Sequence, residues 1–576
     1  MLDYRLQYKR WLSSGELTTE EKNELISIEN NEEIKQFRFS FPMDFGTAGL
    51  RSTMYMGIGC MNRFTVAQTT RALAALVKAE GGSERGVVIA YDSRNNSKLF
   101  AQVCASVLAF SGVKAYIFDD LRPTPELSFA LRHLSAMAGI NITASHNPKE
   151  YNGYKAYWED GAQIGPEQAK VISAKRAEYD VLDLSGADMF DEAVKDGRIV
   201  ILDKKFDLIY LDAVKNTAIN PDAVSEVADD LKIVYTPLHG AGRHLVPETL
   251  KGMGVKHLYT VEEQMTADGN FPTVNKPNPE YADVFELGIK LADSVGSDLI
   301  IATDPDADRV GVMARGADNK FVTLTGNQMG ALLLDYVIRA RREKGTLKEN
   351  AYAVKSIVST DMAYKICEKQ GIKLYDVLTG FKYIGEVIKK YELNGEEDGF
   401  VLGFEESYGY LLGTYTRDKD AVETSMMILE MTAYYKKKNM TLCDALKELY
   451  KTYGYYAEAV TDIYMEGLDG IENRRKVMES LRNEPPKKIG GYSVIRIGDF
   501  LSGVVTVIDT GKKEPTGLPK ADVLHYTLEN GDKIIIRPSG TEPKIKIYAL
   551  AHAQTQEALM DKTRIYKESA EKLAKI

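Results

Sequence analysis

The sequence predicts an α/β protein of several domains whose last part is α+β, and three observations support this fold class. The chain has 576 residues, which at roughly 150 residues per domain corresponds to about four domains. Apolar runs typical of buried strands are followed repeatedly by a polar loop and a helical pattern. After residue 485 the sequence instead becomes rich in patterns typical of strands.

The first α/β unit follows an acidic, helix-like leader. Thr65 is the expected cap of a helix that ends at the glycine pair 81–82. The run VVIAY at 87–91 predicts a buried strand, and a helix is expected over 97–110. Together these segments form a strand, polar loop and helix unit.

Similar strands with polar ends recur further along the chain, at 232–235, 298–302 and 399–403. We interpret these segments as repeated α/β units, with 270–279 as a loop inside the second one. Clusters of Gly, Pro, Asn or charge place candidate boundaries near 204, 320 and 455. The expected domains are therefore residues 1–204, 205–320, 321–455 and 456–576.

The C-terminal domain is predicted to be α+β. Strands over 523–529 and 532–537 are joined by Asn530-Gly531, which is a strong hairpin signal. A further strand is expected at 544–548, and a charged helix is expected from about Thr555.

The composition is that of an ordinary folded protein, with 44% hydrophobic and 27% charged residues. Acidic residues outnumber basic ones by 83 to 73, so no global positive field gathers nucleic acid or anionic lipid. Four dispersed cysteines without a CxxC pair favour a reducing compartment. The start of the chain does not resemble a signal peptide, and no apolar run approaches the roughly 20 residues of a membrane span. We expect a cytoplasmic protein without nucleic-acid or membrane partners.

The segment TDPDADR at 303–309 carries the sharpest chemical signal. Its carboxylates, on Asp304, Asp306 and Asp308, alternate directly after a predicted strand. At the carboxyl end of a strand such residues can converge on a hard cation such as Mg²⁺. An EF-hand is excluded because Arg309 stands where that motif requires glycine. The alternative interpretation is a solvated acidic turn.

A hydroxyl and an imidazole stand side by side in NITASHNP at 141–148. The glycines of a serine hydrolase elbow are absent around Ser145, but a hydroxyl can also carry a phosphoryl group. When this segment is considered alone, a structural turn before proline explains it equally well.

Two more polar segments follow predicted strands. RPSGTEPK at 537–544 combines a guanidinium fork, hydroxyls and a glycine, as a phosphate cradle does, although a plain turn is the alternative. GFEESYG at 403–409 offers acceptors suited to sugar hydroxyls, but an exposed polar turn has the same appearance.

Taken in chain order, four motifs resemble the signatures of the α-D-phosphohexomutase superfamily: TASHNP, DPDADR, GFEESYG and RPSGTEPK. FGTAGLR at 45–51 is a further match, and the resemblance extends over about residues 45–548. It implies four domains around a central cleft, three similar α/β units and a smaller α+β domain. The start of the chain and the loop TGFK at 379–382 resemble a longer subgroup of phosphoglucomutases and phosphopentomutases.

The resemblance implies roles for residues near the second motif. Ser145 would be the phosphoserine that carries the phosphoryl group, and the three aspartates with a phosphoserine oxygen would hold Mg²⁺. Lys155 matches a family lysine proposed for proton transfer, with His146 as the competing candidate. A lysine in that role needs a lowered pKa. Arg51 and Arg309 would face the moving phosphoryl group.

The resemblance also implies the residues that would hold the substrate. The distal phosphate would be bound by four residues of the last motif: Arg537, Ser539, Gly540 and Thr541. Glu405 and Ser407 would hold sugar hydroxyls in either orientation. The loop of Thr379, Gly380 and Lys382 would contact the substrate, with a glycine turn and a solvated lysine as the alternative.

The implied enzyme is an isomerase, an intramolecular phosphotransferase that interconverts glucose 1-phosphate and glucose 6-phosphate through glucose 1,6-bisphosphate. Glu406 matches the glucose-type motif, whereas phosphopentomutase and phosphomannomutase activities by the same mechanism remain alternatives. A cation- or phosphosugar-binding protein without turnover is the non-enzymatic alternative. Pro305 and Ala307 stand where many members have glycine, which makes the predicted metal loop stiffer.

Overall fold

The computed structural model describes residues 2–46, 49–465, 470–539 and 544–574. The chain forms two compact units. The first contains the residues up to 324, together with 388–397 and 408–441, and the second contains 325–387, 398–407 and the residues from 442 onward. The domain limits expected near 204, 320 and 455 stay predictions.

The first sheet of the first unit has the strand order β1-β5-β4-β2-β3-β6. Its central strands are parallel, β5 pairs antiparallel with β4 at one edge, and β1 pairs antiparallel with β5. The strands are β1 (Leu50–Thr53), β2 (Val87–Tyr91), β3 (Ala115–Phe118), β4 (Ala138–Ile142), β5 (Tyr151–Trp158) and β6 (Ile199–Leu202). The strand predicted at 87–91 is confirmed residue for residue.

Helices flank this sheet and precede it: α1 (Tyr4–Leu12), α2 (Thr19–Ser27), α3 (Glu32–Phe39), α4 (Arg63–Ala79), α5 (Ser97–Phe110), α6 (Thr124–His133), α7 (Pro166–Arg176) and α8 (Phe190–Lys195). The predicted helix 97–110 is confirmed as α5. The predicted cap of α4 is wrong, because Asn62 caps that helix. Asn62 and Thr65 each accept the other's backbone N–H in a capping box, so Thr65 already lies inside the helix.

The second sheet of the first unit has the order β11-β10-β9-β7-β8. Its strands are β7 (Lys232–Thr236), β8 (His257–Thr260), β9 (Leu299–Thr303), β10 (Val310–Arg315) and β11 (Phe321–Leu324). The helices around it are α9 (Lys204–Lys215), α10 (Pro221–Glu226), α11 (Gly242–Gly252), α12 (Glu262–Met265), a 3₁₀ turn (Ala282–Phe285) and α13 (Glu286–Val295). β9 is parallel to β7 and antiparallel to β10, so the chain reverses between β9 and β10.

In the second unit, β12 pairs in parallel with both β13 and β14. The elements between residues 326 and 405 are, in chain order, α14 (Gly326–Glu343), β12 (Tyr352–Ser356), α15 (Met362–Gln370), β13 (Lys373–Val377), α16 (Phe381–Glu392), a 3₁₀ turn (Glu397–Gly399) and β14 (Phe400–Glu405). Two elements that follow belong to the first unit, β15 (Gly409–Leu411) and α17 (Ala421–Lys436).

The C-terminal sheet is antiparallel, with the order β16-β23-β22-β21-β18-β19-β20 and β17 paired to β18. Its elements are α18 (Leu442–Tyr453), β16 (Tyr455–Tyr464), α19 (Gly470–Asn483), β17 (Lys488–Ile489), β18 (Tyr492–Asp499), β19 (Val504–Val507), β20 (Lys513–Pro515), β21 (Leu524–Leu528), β22 (Lys533–Pro538), β23 (Lys544–Ala553) and α20 (Gln556–Leu573). The predicted hairpin is confirmed as β21 and β22, and Thr555 caps α20.

The sheets bury separate apolar cores. In the first sheet, Ile89, Ile140 and Ile142 pack under α4 and α5, and in the C-terminal sheet, Ile536 and Ile547 pack with α19 and α20. Each sheet is therefore stabilised by a hydrophobic core of its own. Among the described helices, none combines the length and apolarity needed to cross a bilayer. The predicted α/β class with an α+β C-terminal part is confirmed.

Candidate active site

Three carboxylates converge in the loop that joins β9 to β10. Ligand atoms of Asp304, Asp306 and Asp308 lie within 4.8 Å of one another, and each residue is at most 2% exposed. The turn is closed by the Asp304 carboxylate, which accepts hydrogen bonds from the backbone N–H groups of Asp308 (3.1 Å) and Arg309 (3.0 Å). Ala307 has φ +49°, so the non-glycine residue of this loop adopts the left-handed conformation that glycine adopts most easily.

Two lysines and a threonine contact the carboxylates. Lys155 Nζ lies 2.7 Å from Asp306 Oδ2 and 3.5 Å from Asp308 Oδ2, and Lys419 Nζ lies 3.0 Å from Asp308 Oδ2. Thr124 donates its hydroxyl to Asp306 at 2.8 Å. Burial and the neighbouring carboxylates raise the pKa of Asp304 well above its usual range. Burial would also raise the pKa of Asp306, but Lys155 and further hydrogen bonds lower it.

The aspartate loop fits a divalent cation. The Oδ1 atoms of Asp306 and Asp308 are buried and have no hydrogen-bond partner within the part of the chain that the structure describes. Buried carboxylate oxygens without partners are costly, and hard oxygen donors are the ligands that Mg²⁺ prefers. The three aspartates can therefore hold a metal ion.

Ser145 lies beside this loop. It follows β4 and has φ +50°, a conformation that a serine adopts only when its surroundings hold it. Its Oγ donates a hydrogen bond to Asp304 Oδ2 at 2.7 Å and lies 3.2 Å from Nδ1 of His146. The predicted serine, imidazole and carboxylates are therefore brought together in one site.

Arg94 stabilises the backbone of the serine loop. This buried guanidinium donates to four backbone carbonyls, those of Ser145, Asn147, Pro148 and Tyr151. Asp92 contacts the same loop, because its carboxylate accepts the Thr143 hydroxyl at 2.6 Å, and Thr143 Oγ1 in turn accepts the Ser145 N–H at 2.8 Å. These contacts account for the unusual backbone conformation at Ser145.

Positive charges surround His146. Burial, Arg309 and Arg51 lower the pKa of its imidazole well below the usual value, so the ring is neutral at neutral pH. Arg51 lies on β1 and contacts Asn147 Oδ1 at 3.2 Å, whereas Arg309 pairs with Glu280 at 2.7 Å. Burial lowers the pKa of Arg51, whereas Glu280 and the aspartates outweigh burial and raise that of Arg309.

Lys155 lies on β5, which packs tightly against the serine segment. A side chain at Gly153 would come within 2.5 Å of the Thr143 carbonyl, so this strand position requires glycine. Burial would lower the pKa of Lys155, but Asp306 and Asp308 raise it above the usual value. The lowered pKa required of a proton-transferring lysine is therefore not found in this arrangement.

The predicted sugar-binding residues lie in the second unit. Glu405 ends β14, and its carboxylate accepts the backbone N–H of Gly380 at 2.7 Å, so two of the predicted residues meet. Thr379 precedes Gly380 in the chain, Ser407 lies two residues after Glu405, and both are partly exposed. Lys382 lies in the first turn of α16, where burial lowers its pKa.

The predicted phosphate cradle follows β22 in the C-terminal sheet. Arg537 is partly exposed at the end of this strand, and Ser539 donates its backbone N–H to the Lys544 carbonyl at 2.8 Å. Gly540 and Thr541 lie outside the described residues.

Sequence reasoning missed Lys419, Arg94 and Asp92. Lys419 belongs to the segment TRDKD at 416–420, a dense cluster of charges between β15 and α17 that could have been noticed. Its contact with Asp308 joins residues that are far apart in the chain. Arg94 and Asp92 lie in the polar loop after β2, where the pattern predicted a loop without a role.

Models of a known family match three consecutive parts of the chain. The matches are to phosphoglucomutase/phosphomannomutase alpha/beta/alpha domain I at residues 42–181, domain II at 209–317 and domain III at 325–453. The serine, aspartate and sugar motifs fall inside these segments.

Curated relatives agree with these matches, and solved structures share the fold. A phosphoglucomutase of Staphylococcus saprophyticus is 38% identical over 518 residues, covering 90% of this chain and 92% of the relative. One from Staphylococcus aureus is 35% identical over 546 residues, covering 93% and 96%. The fold resembles that of the Paramecium phosphoglucomutase parafusin (TM-score 0.67, 18% identity, 92% and 94% coverage) and of a Burkholderia thailandensis family protein (TM-score 0.63, 18%, 92% and 97%). The chain belongs to the phosphoglucomutase/phosphomannomutase family.

Proposed function

We propose that this chain is a phosphoglucomutase that interconverts glucose 1-phosphate and glucose 6-phosphate through phosphorylated Ser145. The observation that carries the proposal is the 2.7 Å contact between Ser145 Oγ and Asp304, within a cluster of three buried carboxylates. The family and the two staphylococcal phosphoglucomutases support the same enzyme class, an intramolecular phosphotransferase.

The three aspartates are the proposed Mg²⁺ ligands, together with an oxygen of the phosphorylated serine. When bound, the ion offsets the negative charge of the phosphoryl group. The Oδ1 atoms of Asp306 and Asp308, which lack hydrogen-bond partners among the described residues, support this assignment.

In the first half of the proposed reaction, a sugar hydroxyl attacks the phosphorus on Ser145. The Ser145 Oγ–P bond breaks, a P–O bond forms on the sugar, and the hydroxyl proton passes to a base, which returns it to the Ser145 oxygen that the phosphoryl group has left. Of the two candidate bases, His146 is neutral, whereas Lys155 is charged and paired with carboxylates. We therefore propose His146 as the proton acceptor and Lys155, Arg51 and Arg309 as cations that stabilise the phosphoryl group.

In the second half, the sugar bisphosphate reorients by a half turn and its other phosphate returns to Ser145. Glucose 1,6-bisphosphate is thus the proposed intermediate and activator. Both orientations require the same contacts at the far end of the sugar. We propose that Glu405, Ser407, Thr379, Gly380 and Lys382 hold the sugar, and that the distal phosphate is bound by Arg537, Ser539, Gly540 and Thr541. The Gly380 N–H to Glu405 contact supports a joint loop surface.

Glucose is the proposed sugar, and a pentose phosphate is the second candidate. The acidic Glu406 at the middle of the sugar motif supports glucose. Its carboxylate accepts the Ser356 hydroxyl at 3.2 Å, which orients the motif. The resemblance of the loop TGFK at 379–382 to the longer subgroup supports the pentose alternative.

The test measures turnover of glucose 1-phosphate, mannose 1-phosphate and ribose 1-phosphate at one Mg²⁺ concentration, each primed with glucose 1,6-bisphosphate. We expect strong preference for glucose 1-phosphate. Preference for ribose 1-phosphate would overturn the choice of sugar but keep the chemistry, and no turnover of any substrate would support a binding protein without catalysis.

The phosphoenzyme is tested separately by intact mass. We expect active enzyme to carry the mass of one phosphoryl group, which Ser145→Ala removes along with activity. Ser135→Ala is the matched control, because Ser135 also has a positive φ (+52°) but is exposed after α6. A phosphate retained in Ser145→Ala would refute the proposed carrier.

A further inference from the structure

A cavity of about 510 Å³ lies in the first unit, and none of its lining residues belongs to the serine loop. Its walls are the start of α9, the first turns of α11 and the segment 120–122. Pockets for small molecules typically measure about 300–1,000 Å³, so this cavity is large enough for a metabolite bigger than inorganic phosphate.

The rim of the cavity carries cations that lack acidic partners. Lys204, Lys205 and Lys251 line it and are exposed, and none of them forms an ion pair within the described ranges of the chain. Across the cavity, Arg243 pairs with Asp120 at 2.7 Å. Burial, Arg243 and Lys204 lower the pKa of the adjoining His244, although Asp120 acts in the opposite direction. Of the three acids that line the cavity, Asp120 pairs with Arg243 and Asp207 pairs with Arg122 at 2.8 Å, and Glu248 is the third. The five lining cations therefore outnumber the acids, on a chain of net charge −10, which suits an anionic ligand.

The interior of the cavity is partly apolar. Leu121, Leu245 and Pro247 are buried and line it, and Leu208 adds an exposed apolar side chain. A ligand that fills such a site combines a charged end, held by the lysines, with an apolar or aromatic portion. Inorganic phosphate alone would leave the apolar part of the cavity unfilled.

Both walls touch the aspartate loop through the backbone. Ala241, which lines the cavity, donates its N–H to the Pro305 carbonyl at 2.8 Å. Thr124, three residues after the lining residue Leu121, donates its N–H to the Asp306 carbonyl at 2.8 Å. The first contact is tight, because a side chain at Gly240 would lie 2.5 Å from Pro305 Cα. A shift of either wall therefore changes the support of the aspartate loop.

We propose that this cavity binds a small phosphate-bearing metabolite with an apolar ring, and that its occupancy changes the cation affinity of the aspartate loop. The ligand's phosphate competes with Asp120 for Arg243 and so loosens the contact between the two walls. The second half of the proposal rests on the proposed metal-binding function of the loop, whereas the first half is independent of it.

Binding is tested by calorimetry with adenosine 5′-monophosphate as the probe, on the full-length protein saturated with glucose 1-phosphate. Adenosine and inorganic phosphate serve as partial probes, and we expect each to bind at least tenfold more weakly than the intact nucleotide. The double variant Lys204→Glu/Lys205→Glu should weaken nucleotide binding at least tenfold. Its matched control is Lys195→Glu/Lys215→Glu, with the same charge change on exposed lysines outside the cavity. No nucleotide binding at millimolar concentration, or equal weakening in the control, would overturn the site.

Coupling is tested by titrating Mg²⁺ calorimetrically with and without the nucleotide. Because linkage is reciprocal, the nucleotide should change Mg²⁺ affinity by the same factor by which Mg²⁺ changes nucleotide affinity, and we expect about fivefold or more. Asp120→Asn should reduce this factor. Nucleotide binding without any change in Mg²⁺ affinity would overturn the coupling. Absence of Mg²⁺ binding altogether would instead contradict the proposed function, so the two failures are distinguishable.

Discussion

The aspartate loop of the first unit and a lysine cluster around the buried Lys355 of the second unit differ in how their charges are balanced. The lysine cluster consists of Lys355, Lys533, Asp361 and Asp376, with contacts of 3.0 Å from Lys355 to Asp376 and 2.9 Å from Lys533 to Asp361. Two cations thus meet two carboxylates. In the aspartate loop, three carboxylates meet Lys155, Lys419 and, at 3.9 Å, Arg309. Two of these cations are shared with further acids, Lys419 with Asp418 at 3.4 Å and Arg309 with Glu280 at 2.7 Å.

This difference separates a structural cluster from a candidate ion site. Burial would lower the pKa of Lys355, but Asp376 and Asp361 raise it, as expected for a paired buried lysine. In the aspartate loop, carboxylates remain in excess, and two of their oxygens lack a hydrogen-bond partner among the described residues. Uncompensated buried negative charge is costly unless a cation joins it. The charge balance, rather than the number of buried charges, therefore identifies the metal site.

The largest expected effect is that of Asp308→Asn. Removal of one proposed metal ligand should lower kcat by on the order of 10³, the size typical of losing a group that stabilises transition-state charge. Stability should change little, because relief of the repulsion among three carboxylates offsets the 3.0 Å contact that Lys419 loses. Turnover at saturating Mg²⁺ and thermal unfolding measure the two effects. Asp318→Asn, at an exposed aspartate, is the control. Retention of near-normal turnover in Asp308→Asn would refute the assignment.

Asp376→Asn tests the lysine cluster, and its expected effect is on stability. The variant leaves the fully buried Lys355 with one carboxylate fewer, which should cost about 3 kcal/mol of unfolding free energy. The kcat of the folded variant should not change. Chemical unfolding and steady-state kinetics measure these quantities, with Asp509→Asn as an exposed control. Lost turnover at normal stability would mean that the cluster has a catalytic role.

Mg²⁺ should stabilise the protein through the aspartate loop alone. At a concentration of 100 times its Kd, a ligand of the folded state adds about 2.7 kcal/mol to the free energy of unfolding. We expect a rise in the unfolding midpoint that is reversed by chelation. The rise should be absent in Asp308→Asn and preserved in Asp376→Asn. Equal stabilisation of both variants by Mg²⁺ would contradict this difference between the two clusters.

The smallest expected effect concerns Glu458 on β16, near the lysine cluster. Burial raises its pKa to about 7, although Thr360 acts in the opposite direction. The folded state therefore holds this proton more tightly than the unfolded state does, so stability falls as the pH rises from about 4.5 to about 7. Glu458→Gln should remove this fall and stabilise the protein at pH 8 by about 1–3 kcal/mol relative to the wild type.

The measurement is the unfolding free energy of both proteins between pH 5 and pH 8. Glu448→Gln, at an exposed glutamate of α18, controls for the loss of one acidic group. A wild-type stability that rises relative to Glu458→Gln over this range would contradict the raised pKa.

Local chemistry made much of the fold and part of the site predictable. The strand at 87–91, the helix at 97–110 and the Asn530-Gly531 hairpin follow from periodicity and turn residues within short windows. The aspartates were predictable for the same reason, because their alternation after a strand is a local pattern. The cap of α4 was misplaced because Asn62 and Thr65 both have capping side chains, and only the backbone conformation distinguishes their roles.

The sequence by itself determined the element types, the family motifs and the set of candidate residues. Only the tertiary structure decided which of them meet and in what charge state. Lys419 reaches Asp308 across more than a hundred residues of chain, Arg94 supports the Ser145 backbone, and the charges around His146 and Lys155 set opposite pKa shifts. These properties depend on burial and on distances between remote segments, and electrostatic interactions depend on both.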